Sequence, residues 1–92
     1  MLHLLTTVLK LLKLDLGITS NARDEYFNNL LESCKKDLEG KGIVLEENAD
    51  DMQLLSDYSA WAYRKRQEDV PISNNLKHRI RNRIVKVRAG NG

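Results

Sequence analysis

Ninety-two residues make one domain with a small core, because a chain of this size buries only ~60–65% of its unfolded surface. The formal net charge of +2 conceals a split: residues 1–73 carry nine Lys/Arg against thirteen Asp/Glu, a net of −4, whereas residues 74–92 carry six basic and no acidic residues, a net of +6. A single cysteine excludes an intramolecular disulfide and a cysteine-based zinc site, and it fits folding and assembly in a reducing cytoplasm.

The opening "MLHLLTTVLKLLKLDLG" is apolar but has no basic n-region and no small-residue cleavage site. Lys10, Lys13 and Asp15 interrupt it before spanning length, so neither a signal peptide nor a transmembrane helix is expected. Two lysines and no aromatic anchor also argue against a helix lying on a membrane. Leu5, Val8, Leu9 and Leu12 instead fall on one helical face over roughly residues 2–13, with Leu4 and Leu11 widening the stripe.

A second helix is expected over about residues 22–39. Asn21 is a plausible N-cap with Asp24 at N3, and Gly40 is placed to end the helix at C′. Phe27, Leu30, Leu31, Cys34 and Leu38 form its apolar stripe, which casts Cys34 as a small buried hydrophobe. A nucleophilic thiol would want a neighbouring histidine, and His3 and His78 lie far away in sequence.

The connector "GKGIVLEEN" contains a short extended stretch at Ile43–Leu45. Its two glycines around Lys41 lack the remainder of a phosphate-loop pattern, so they read as a helix end followed by a turn. The third helix, about residues 49–67, is expected to be capped by Asn48 with Asp51 at N3. Met52, Leu55, Tyr58 or Ser59, and Ala62 trace one face, with Leu54, Tyr58 and Trp61 beside it. Tyr58, Trp61 and Tyr63 suit a base-stacking platform, but at helical spacing beside leucines they read as core and interface, with Trp61 at the domain's centre. Glu46, Glu47, Asp50 and Asp51 lack the regular ligand series of a calcium loop and read as a solvated helix start.

After Pro71 a fourth helix is expected over about residues 75–88, with Leu76, Ile80, Ile84 and Val87 as a thin apolar ridge. Lys77, Arg79, Arg81, Arg83, Lys86 and Arg88 flank that ridge. The expected fold is therefore all-α: a small four-helix bundle-like domain, with residues 1–73 as the helical body and 74–92 as a basic amphipathic C-terminal arm.

Catalytic inventory is thin. HExxH, CxxC and GxSxG are missing, and neither histidine has an acid or nucleophile at useful spacing, so no enzyme, metal or cofactor is expected. Three roles stay open for the arm. A nucleic-acid-binding regulator would use the cations on phosphate and Arg81 and Asn82 on base edges, with a salt slope of about −5 for six phosphate contacts. A protein groove with an acidic rim would satisfy the aliphatic ridge and the cations together, and an acidic body disfavours DNA. Alternatively the ridge packs back on its own domain and the cations are solvated.

The order "LLKLDLGIT", "DEYFNNLLESCKKDLEGKGI", "DDMQLLSDYSAWAYRKR" and "NLKHRIRNRIVK" resembles the small head–tail connector (adaptor) proteins of tailed bacteriophages, over about residues 5–88. The resemblance implies a helical subunit that assembles as a homo-oligomeric ring beneath the portal protein and meets tail-completion proteins. It implies a location in the virion neck, after assembly in the host cytoplasm. In that family the C-terminal segment reaches into the portal. Carried over, Leu76, Ile80 and Ile84 become anchors, and Lys77, Arg79, Arg81, Arg83, Lys86 and Arg88 become portal-docking or channel-lining cations that also come near DNA.

Overall fold

The computed structural model describes the backbone of residues 2–91 and the side chains of residues 4–85. Within them the chain forms four helices and no strand: α1 (Leu2–Leu16), α2 (Asp24–Gly40), α3 (Ala49–Glu68) and α4 (Asn74–Asn91). This is the expected all-α bundle. Helices α1, α2 and α3 pack against one another, whereas α4 packs on α3 alone among the helices. No helix among the described residues is long and apolar enough to cross a membrane.

The core is built from helical stripes. Leu4, Val8 and Leu12 are fully buried on α1, with the expected Leu5 and Leu9 only half-buried, so the buried face is rotated towards Leu4. Phe27, Leu30, Leu31, Cys34 and Leu38 are buried on α2, as their spacing predicted. Ser56, Ser59 and Ala60 are buried on α3, and these small side chains let the facing helices approach. Trp61 is not at the centre. It lies half-buried, with Nε1–H donating to the Val70 carbonyl at 3.1 Å, while Phe27, Leu31 and Leu55 occupy the fully buried positions. The ring's N–H needs an acceptor, and the backbone beyond α3 supplies it at the edge of the core.

Helix ends follow local chemistry with two departures. Asn48 caps α3 as expected, its Oδ1 accepting from the Asp51 N–H at 2.8 Å. Asn21 does not cap α2, which begins at Asp24 without a side-chain cap. Its Oδ1 instead accepts from Lys13 Nζ at 2.8 Å, and Lys13 also pairs with Asp24 at 2.7 Å, tying the end of α1 to the start of α2. Gly40 remains helical, and the left-handed residue is Gly42, at φ +94°. There Gly42 N–H bonds to Glu39 O and Ile43 N–H to Leu38 O, so the closing motif comes two residues later than expected and turns Ile43 into the core.

Of the four acids expected at a solvated helix start, Glu46, Glu47 and Asp50 are exposed, and Asp51 is not. Asp51 is only 2% exposed. Its carboxylate accepts from both terminal nitrogens of the Arg83 guanidinium and from the Glu46 N–H at 2.7 Å. Burial by itself would raise the Asp51 pKa, but Arg83, the Glu46 N–H and Asn48 outweigh it and hold the carboxyl below the usual range. Stabilisation from a lowered carboxyl is complete above the unfolded-state value of ~3.9 and is lost as pH falls through the lower folded value. Arg83→Ala should cost ~3 kcal/mol at neutral pH in chemical denaturation, because it leaves a buried carboxylate unpaired. In Asp51→Asn the loss of stability on acidification should be shallower than in the parent chain.

Candidate functional site

Helix α4 runs antiparallel to α3, since Arg79 meets Asp57 and Arg83 meets Asp51. Leu76 and Ile80, expected as anchors for a partner, are buried at 4% and 8% exposure and anchor α4 to its own body. Ile84 is half-buried against the same core. Arg79 donates to Asp57 at 2.6 Å, and Gln53 Nε2 donates to the other oxygen of that carboxylate at 2.9 Å. Arg79 and Arg83, expected as free docking cations, are thus neutralised within the molecule by carboxylates on α3. Lys77 and Arg81 are exposed, and no carboxylate among the described residues lies within ion-pair distance of them. The side chains of Lys86, Val87 and Arg88 lie outside the described residues.

One flank of α4 borders a groove of about 470 Å³. Tyr58 and Trp61 of α3, Ile72 of the linker, and Ile80, Ile84 and Val85 of α4 form its apolar walls. Lys41, Lys77 and Arg81 bring three cations to it. The Tyr58 and Trp61 rings stand 5.4 Å apart, and Lys65 Nζ lies 5.0 Å from the Trp61 ring centroid on another side. Val85 on the groove is 58% exposed.

The aromatic residues of α3 do not form a single platform. Tyr63 turns the other way, packing on Phe27 at 5.4 Å under the Arg23 guanidinium, while Tyr58 and Trp61 face the groove. Cys34 is 2% exposed, and burial pushes its thiol pKa up, so it is unsuited to nucleophilic work. No cluster of three or more His, Cys, Asp and Glu among the described residues is arranged to hold a metal ion.

No family model, no curated protein and no solved structure significantly matches this chain. The site must stand on its own chemistry.

Three residues of the groove escaped the sequence reasoning: Lys41 read only as part of a turn, and neither Ile72 nor Val85 was given a role, whereas Trp61 read as core and interface. The available signals were an isoleucine directly after Pro71 and a lone cation between two glycines, and neither identifies a groove unless the path of α4 is known.

Trp61 is the only tryptophan and therefore reports on this groove. Iodide should quench its fluorescence more strongly than caesium, because the surrounding cations concentrate anions and repel cations. The paired substitution Lys77→Glu and Arg81→Glu should narrow or invert that preference without changing the far-ultraviolet circular dichroism.

Proposed function

We propose that this chain is a non-enzymatic structural connector, docking on acidic protein surfaces through the groove and the free cations of α4. The resemblance in segment order supports reading it as a head–tail connector subunit of a tailed bacteriophage, assembling as a ring with portal and tail-completion proteins as partners. Its place is then the virion neck.

The observation that carries a protein partner over nucleic acid is the division of the arm's charge. Arg79 and Arg83 are taken up by Asp57 and Asp51, while Lys77 and Arg81 stand next to the apolar Ile84 and Val85. Phosphate has no use for exposed aliphatic surface, whereas an acidic amphipathic protein surface matches both features. Wholesale release of α4 into a portal would strip Leu76 and Ile80 from the core and leave Asp51 unpaired. Docking in this reading therefore uses the outer face and distal turns of α4 with the helix in place.

A titration with random-sequence duplex DNA, at low and near-physiological salt, tests the choice. With Arg79 and Arg83 held by carboxylates, at most four of the six cations remain, so the salt slope should not exceed about −3.6, against about −5.4 for all six, and binding should be negligible at physiological salt. Tight binding with the steeper slope, lost in the surface variant K77E/R81E, would replace the connector with a nucleic-acid-binding regulator.

A further inference from the structure

The surface opposite the groove complements it. In the extended stretch after Gly42, Ile43 and Leu45 are buried at 0% and 4%, so the alternation turns Val44 outward, where it is 67% exposed. Val44 is also held in place: its carbonyl accepts from Arg83 Nη2 at 3.3 Å, and the neighbouring Glu46 N–H is bound by Asp51. Glu46 and Asp50 share that surface with Val44. The result is a fixed apolar knob with two carboxylates beside it.

The knob and the groove lie on opposite flanks of α4. Lys77, Arg81, Ile84 and Val85 face the groove on one side, while Arg79, Asn82 and Arg83 face Asp50 and Gln53 on the other. We infer that the groove receives the Val44 knob of a second copy of this chain, with Lys77 and Arg81 of one copy opposite Glu46 and Asp50 of the next. The inference rests on the reading of the chain as a self-assembling connector and supplies its contact. Because the two surfaces differ, the contact is head-to-tail: an open assembly keeps one free knob at one end and one free groove at the other, so growth continues until a ring closes or a filament forms. Opposite charges across the contact favour this register over the reversed one, in which like charges would meet.

Sedimentation of the intact chain from micromolar to millimolar concentration tests it, with Trp61 emission as the local readout. Association should rise with concentration, weaken with salt and shift the Trp61 emission to the blue. The groove variant K77E/R81E and the knob variant V44S/E46Q should each weaken association about 10-fold or more. Both alter exposed side chains, and unchanged thermal melts would exclude misfolding. An equimolar mixture of the two variants should form a discrete heterodimer, since only one intact knob and one intact groove remain to meet. A chain that stays monomeric throughout would overturn the inference together with self-assembly, leaving the groove to a different protein. Association unaffected by either variant would overturn the inference alone, with the copies meeting elsewhere.

Discussion

Much of this small fold depends on one buried carboxylate. Asp51 sits in the first turn of α3, and its side chain is shared by the guanidinium of Arg83 on α4 and the N–H of Glu46 in the connector. Its own N–H meanwhile donates to the capping Oδ1 of Asn48. Three segments therefore converge on one acid. A charge this deep is costly unless its oxygens are filled, and here the bidentate arginine and a backbone donor fill them. The arrangement seats the connector, starts α3 and fastens the distal half of α4 with the same group.

The groove follows from how little else holds α4. Among the described residues it packs on α3 and on neither α1 nor α2, so its outer apolar residues Ile84 and Val85 are left partly uncovered. Leu76 and Ile80 point into the core, and Ile84 and Val85 turn progressively away from it. The linker closes the near end, where Trp61 donates to Val70 and Ser73 caps α4 by accepting from the Leu76 N–H at 3.1 Å. Between these fastenings the buried Tyr58 and the half-buried Trp61 line the groove. Small domains have little apolar surface to leave uncovered, which makes a wall of this kind a natural place for an intermolecular contact.

Charge acts on two scales in this molecule. Arg79 and Arg83 orient α4 on α3 and are neutralised in doing so, while Lys77 and Arg81 keep their field on the outer flank. The helix thus has a face taken up in packing and an outer, unpaired face built from the same residue types. An aliphatic ridge with interleaved cations fits both a free arm and a helix packed on its own body, and in the packed helix Arg79 and Arg83 are already neutralised.

The sequence alone determined what depends on near neighbours. Four helices, the stripe from Phe27 to Leu38, the burial of Cys34 and the Asn48 cap all arise from periodicity and hydrogen bonds within a few residues. Even at this range competition intervened: Lys13 claimed the Asn21 oxygen from another helix, and Gly42 rather than Gly40 took the left-handed position. Only the tertiary structure decided which cations were free. Arg83 and Asp51 are 32 positions apart, and Arg79 and Asp57 are 22 apart. Composition counts such charges but cannot pair them, because pairing depends on the antiparallel course of α4 across α3. The same crossing placed Lys41, Trp61 and Ile72 around one groove, a proximity created by chain path rather than by any local pattern.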